Sequence, residues 1–368
     1  MDVQENPDFL TTQIITYIGN KRTLIANIEQ EVELIRCELE GKRLVSADLF
    51  SGSGIVARML KRHSEKLIVN DLETYSALIN SCYLSNKKDF PQDKWFYLKN
   101  EIENRLSNCK IEGIIAQNYA PHDDAHILKG ERVFYTHENA VLIDTHRNLI
   151  DDVVKEDALK KYFLAPLVTE ASIHVNTSGV FKGFYKDKNT GIGCFGGAGK
   201  NALTRIFGKI ELKEPILSNF ECELEIHQED AVSLSCKLGN LDIAYLDPPY
   251  NQHPYGSNYF MLNLIIKNRL DVPTSRVSGI TQDWRRSAFN NPKSALPSLE
   301  QVVSALDAKF VIVSYNSEGF ISLDQMTSML TRYGKVKTVK MQYNTFRGSR
   351  NLKNRNIHVS EYLFVIKK

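Results

Sequence analysis

The stretch KRLVSADLFSGSGIVARMLKRH, residues 42–63, holds an apolar run, a break at two glycines, and a second run whose apolar residues recur at helical spacing. Buried strands show short continuous apolar runs and helices repeat their apolar positions every three or four residues, so the segment reads as strand, tight turn, helix. Gly52 and Gly54 suit the turn, because glycine enters the left-handed backbone region without steric cost. The rhythm extends both ways: KRTLIANIEQEVELIRCEL upstream predicts an amphipathic helix, and EKLIVNDLE and TYSALINSCYL downstream predict a strand and a helix.

Between about residues 85 and 220 the pattern gives way to a mixed stretch rich in His, Asn, Gly and charge, read as an inserted domain spanning 85–220. The flanking parts, 1–84 and 221–368, then form one larger domain, because strand–helix alternation resumes in CELEIHQED, LDIAYLDPPY, YFMLNLIIKN, KFVIVSYNSEG and LDQMTSMLTRYG. KVKTVKMQY and EYLFVIKK close the chain as an antiparallel hairpin at one sheet edge. The implied fold class is α/β, with a doubly wound, mostly parallel sheet that binds ligands at the carboxyl ends of its strands. Gly52, Gly54, Asp71, Asp230 and Asp247 each follow an apolar strand candidate, so one crevice collects them. Asp230 and Asp247, separated by one short helix and one strand, are expected at neighbouring strand ends.

Composition narrows the class. At 368 residues and 42% hydrophobic content the chain can bury a large core. No apolar run approaches a membrane span, and the start MDVQENPDFL lacks the features of a secretory signal, so no membrane association and a cytoplasmic location are expected. The six cysteines never form a CxxC pair, which argues against a zinc ribbon. A net charge of +2 means that a nucleic-acid partner must be held by local basic patches.

The motifs YIGNKR, DLFSGSG, VNDLE, HQEDAVSL, LDPPY, VSYNSEG and EYLFV, in this order around a long insertion, resemble the Dam-like, D12-class N6-adenine-specific DNA methyltransferases, including modification enzymes of restriction systems. The resemblance implies a Rossmann-like class I methyltransferase sheet with S-adenosylmethionine as cofactor. It assigns Tyr17 and Lys21 to the methionine end of that molecule, Asp71 to its ribose and Asp230 to its adenine. Asp48, Phe50, Gly52, Gly54 and Asp247 complete the cofactor set. Two rival readings stay open: an RNA or protein methyltransferase on the same fold, and a catalytically dead DNA-binding regulator.

The catalytic set is Asp247, Pro248, Pro249 and Tyr250. An adenine amino nitrogen is a poor nucleophile because its lone pair is delocalised into the ring. A carboxylate and a main-chain carbonyl that accept its two hydrogens localise that pair and stabilise the charge that develops. The prolines stiffen the carbonyl, and the tyrosine offers a face for a base rotated out of the duplex. No metal is required.

In the insertion, HVNTSGVFKGF resembles the family's link between recognition and catalytic parts through Asn176, Gly179 and Phe181. GCFGGAGKN fails as a phosphate-binding loop, since Cys194 and Asn201 stand where a glycine and a hydroxyl are needed, and it reads as a glycine loop. The His122, Asp123, Asp124, His126 and His137 group lacks a recognised metal spacing. Expected DNA contacts are Asn176, Lys200, Tyr255, Tyr259, Arg285, Arg286, Arg347 and Arg350. For Tyr255 and Tyr259, packing beneath the loop is the equal alternative. The expected partners are double-stranded DNA and a cognate restriction endonuclease acting on the same site, with the protein itself a monomer.

Overall fold

The structure is a computed structural model that describes residues 3–197, 199–200, 202–344 and 358–368. Seven strands form one sheet: β1 (Leu44–Asp48), β2 (Ser64–Asn70), β3 (Glu223–His227), β4 (Leu241–Leu246), β5 (Ala308–Asn316), β6 (Lys335–Asn344) and β7 (His358–Lys367), in the order β3-β2-β1-β4-β5-β7-β6. The first five run parallel, and β7 pairs antiparallel with both β5 and β6. The closing hairpin is therefore where the sequence predicts it, but its last strand lies inside the sheet and only β6 forms the edge.

The LDIAYL run of β4 is buried at every residue, as a parallel strand covered on both faces must be. Side chains alternate across the pleat. Ala244 and Leu246 join the helices Ala295–Ala305 and Leu323–Leu330 on one face, while Ile243 and Tyr245 join Ile25–Glu38 and Ile55–His63 on the other. The insertion supplies the helices Gln92–Leu106, Ile114–Tyr119, His137–Val153 and Asp157–Ile173. Their apolar faces share one core with Tyr75, Ile79 and Tyr83 and with residues between Tyr259 and Ile265 of the sheet domain, so the insertion packs directly onto the elements beside the loop that carries Asp247. No helix among the described residues is long and apolar enough to cross a membrane.

Strand order reverses between β1 and β4, and at such a switch point the flanking crossovers lead to opposite faces and open a crevice. The glycine turn follows β1 and the Asp247 loop follows β4, so both sit at this crevice. Asp230 and Asp247 are not at neighbouring strand ends: β3 is the outer strand, and β2 and β1 stand between it and β4. The interval along the chain fits adjacency, but pairing between distant segments sets strand order.

Candidate active site

The turn after β1 is built around positive backbone angles, φ +50° at Gly52 and +78° at Gly54. A Cβ on Gly52 would lie 2.6 Å from the Tyr17 ring, and one on Gly54 would lie 2.2 Å from Asn80 Oδ1. The turn is tied to β2, because the Gly52 amide donates to Asp71 Oδ2 at 2.7 Å and the Glu73 amide to Asp71 Oδ1 at 2.9 Å. Burial raises the Asp71 carboxyl above its ordinary range, opposed by these amides. Asp230 caps the helix Ala231–Ser235 by accepting from the Val232 amide at 3.0 Å and the Ser233 amide at 3.3 Å.

These elements enclose a cleft of about 650 Å³, open to solvent. Tyr17, Phe50, Asp71, Asp230, Asp247 and Tyr255 all line it. Tyr17 stacks on Tyr255 and Tyr259 with ring centroids 5.0 and 4.9 Å apart, and the Tyr255 hydroxyl donates to the Ile18 carbonyl at 3.2 Å. Tyr255 thus belongs to this cleft wall. Asp48 does not line the cleft; it is buried under the turn at 1% exposure. Burial, then the charge of Asp247, push its carboxyl well up, while the Phe50 amide lies within hydrogen-bonding distance at 3.4 Å.

At the end of β4, Asp247 Oδ1 lies 2.9 Å from Lys21 Nζ, whose other acidic partner is Glu361 Oε1 at 3.0 Å. Lys21 is only 4% exposed and is not among the residues that line the cleft, although its ammonium also donates to the carbonyl of the cleft-lining Gly19 at 3.4 Å. Two carboxylates draw its charge inward. Burial lowers the ammonium, but Asp247 and then Glu361 overcome that and hold it well above the ordinary lysine range. Burial pushes Asp247 up to about 6, with Lys21 pulling it down and Glu361 pushing it further up.

Beyond Asp247 the loop is anchored through its later carbonyls. Tyr250 O accepts from the Phe320 amide at 3.2 Å, and Asn251 O from Asn290 Nδ2 at 2.9 Å. No described residue donates to the Pro248 carbonyl or to Asp247 Oδ2. The half-buried Tyr250 ring meets Tyr315 edge-on at 6.5 Å, which restrains its plane.

Two expected DNA contacts prove to be structural braces. Asn176 is fully buried, donating to the Val133 and Cys194 carbonyls at 2.7 and 2.9 Å and accepting from the Gly196 amide at 3.0 Å. Tyr259 is fully buried, and its hydroxyl accepts from the Ile18 amide at 2.7 Å. Phe181 does link the two parts: its amide donates to Asn258 O at 2.8 Å and its ring meets Tyr259 edge-on. Lys200 is exposed on the insertion's glycine loop, Arg285 is exposed at the cleft rim, and Arg286 lies over the Trp284 ring at 5.4 Å. Arg347 and Arg350 lie outside the described residues. In the His-rich loop, Asp124 accepts from the His137 amide and Asp123 pairs with His126; among the described residues no group of His, Cys, Asp and Glu could hold a metal ion.

Sequence reasoning assigned no role to Glu73 or Glu361. Glu73 lines the cleft at 5% exposure and accepts from Asn263 Nδ2 at 2.8 Å. The signal for Glu361 was a lone acid opening the otherwise apolar EYLFVI.

A glycine turn and two strand-end acids lie around one cleft, beside a carboxylate whose neighbouring carbonyl accepts from no described residue, an arrangement suited to an enzyme that transfers a group to an amine. The sequence model of the D12 class N6 adenine-specific DNA methyltransferases matches residues 17–329, and the chain belongs to that family. It is an N6-adenine DNA methyltransferase. It is 30% identical to the type II methyltransferase M.CviAII of Paramecium bursaria Chlorella virus 1, over 96% of this chain and 98% of that protein. It is 29% identical to the type II methyltransferase M.NlaIII of Neisseria lactamica, over 96% and 99% respectively.

Proposed function

We propose that the chain is a modification methyltransferase of a restriction–modification system, using S-adenosylmethionine to methylate N6 of an adenine rotated out of duplex DNA. The observation that carries the reading is the pair of acceptors, Asp247 Oδ2 and the Pro248 carbonyl, to which no described residue donates, on a loop whose Tyr250 and Asn251 carbonyls are anchored.

The cleft suits the cofactor. Its walls include the apolar Phe50 and Leu72, and Asp71 and Asp230 present acceptors for ribose hydroxyls and a purine amine. When bound, S-adenosylmethionine supplies an electrophilic methyl on a sulfonium. The protein's part is to make the amine nucleophilic. Asp247 and Pro248 each accept one amine hydrogen, which localises the nitrogen lone pair and opposes the positive charge that grows during attack. Tyr250 offers its face to the base, and the proline pair holds the carbonyl rigid, so little reorganisation is needed at the moment of reaction.

Basic side chains from three segments lie near one another: Lys182 of the insertion, His253 of the loop after β4, whose imidazole is lowered by burial and then by the Lys182 charge, and Arg285 and Arg286, the first of these at the cleft rim. Lys182 Nζ lies 3.5 Å from His253 Nδ1. Burial, then the Arg286 charge, lower the Lys182 ammonium. None of the four pairs with an acid among the described residues, although the chain is nearly neutral overall. Such a cluster suits DNA phosphates, which position the duplex without reading it. Residues 85–220 then act as the target-recognition domain, in a cytoplasmic monomer whose partner is an endonuclease cutting the same site.

The test is incorporation of labelled methyl from S-adenosylmethionine into DNA, RNA and protein offered separately, followed by nucleoside analysis. Label in N6-methyladenine of DNA alone is expected, and Asp247→Ala abolishes it while cofactor and DNA binding persist. Transfer by that variant, or label in another polymer alone, overturns the reading.

A further inference from the structure

Behind the catalytic carboxylate lies a second one that the chemistry above does not use. Glu361 stands on β7 opposite Asn316 of β5 and is 1% exposed. Its Oε1 accepts from Ser314 Oγ at 2.7 Å and lies 3.0 Å from Lys21 Nζ, while its Oε2 accepts from Asn316 Nδ2 at 3.2 Å. Lys21 extends the chain of contacts to Asp247 Oδ1 at 2.9 Å. A buried ammonium is thus shared between two carboxylates, one locked by two side-chain donors and the other facing the cleft at 20% exposure. A buried charge that a fold retains must be paired, and here the pairing is asymmetric: two negative groups share one positive group.

The consequence is electrostatic. Were Lys21 paired with Asp247 alone, its whole charge would fall on the oxygen pair that must attract the amine. Were Lys21 absent, a buried Asp247 beside Glu361 would take up a proton and lose acceptor capacity. We propose that Glu361 is a positioning residue for methyl transfer: by taking part of the Lys21 charge it leaves Asp247 with one oxygen fixed, the other free, and enough negative charge to polarise the adenine amine. The inference rests on the adenine-methylation reading. Other groups facing Asp247 are Asp48 at the end of β1, Tyr245 on β4, and Tyr250 and Tyr255 of the following loop. All of them stay in place when Glu361 is changed.

The experiment is single-turnover methyl transfer to duplex DNA across the acid to neutral range, for wild type and Glu361→Gln. Glutamine keeps the shape and an acceptor but removes the charge. The acid limb of the rate profile should move to lower pH by about one unit, because a like charge next to Asp247 has gone. The plateau rate should fall about tenfold, because Asp247 then bears the full pull of Lys21. Ser314→Ala, which weakens the hold on Glu361 without removing it, should move the limb the same way by less, and it decides the matter if the glutamine variant does not fold. A merely structural Glu361 would lower stability and leave the limb in place; an unmoved limb and plateau in an active protein overturn the inference alone. A wild type that methylates no DNA overturns the underlying reading instead.

Discussion

Replacing Glu73 by glutamine should make the apo protein more stable near pH 8 and much less so near pH 5. Burial pushes this carboxyl from its ordinary 4.5 to about 7, aided by the charge of Asp71 and opposed by Asn263 and Arg285. Between those values the folded state binds more protons than the unfolded chain, so the contribution of Glu73 is fully present below 4.5 and is lost as pH rises through about 7. With one pH unit worth about 1.4 kcal/mol, ionising the buried group costs about 1 kcal/mol near pH 5 and about 3 kcal/mol near pH 8. Glutamine carries no charge and can still accept from Asn263, so it escapes that cost. Urea melts of both proteins at the two pH values, without cofactor, give the difference directly. The stability gap should widen by about 2 kcal/mol toward alkaline pH; a gap that stays constant would refute the claim that Glu73 is held in a charge-averse site on the cleft wall.

Gly54→Ala should lose about 2–4 kcal/mol of stability and weaken S-adenosylmethionine binding in calorimetric titration, since alanine strains a positive φ and displaces Asn80 from its bonds to Ser51 and Ser76. Wild-type stability would refute this account of the turn. Lys182→Gln, Arg285→Gln and Arg286→Gln should each reduce the slope of log affinity for DNA against log salt by about one, with little effect on turnover at saturating DNA. An unchanged slope for all three would remove the cluster from the DNA interface. Asn176→Ala should destabilise the fold by about 2–4 kcal/mol in denaturant melts, because it strands three buried backbone groups, while the folded fraction binds DNA as before. Selective loss of DNA affinity at full stability would restore its role as a contact.

Local features settled much of this protein. The LVSAD run, its glycine turn and the following helix have few other ways to satisfy backbone geometry, and an apolar run such as LDIAYL can only be a covered strand, so Asp247 had to emerge at a strand end. The polar residues of the insertion were less legible. Asn176 and Tyr259 look like contacts for a ligand, yet their partners are backbone groups of distant segments, and residue type alone cannot tell a buried brace from a reaching side chain. Strand order was likewise hidden from the sequence. Only the folded chain slips β7 between β5 and β6, which brings Glu361 against Ser314 and Asn316 and hence to Lys21 and Asp247. Spacing and polarity are properties of neighbours along the chain, whereas which carboxylates share a proton donor depends on hydrogen-bond pairing between strands far apart in sequence.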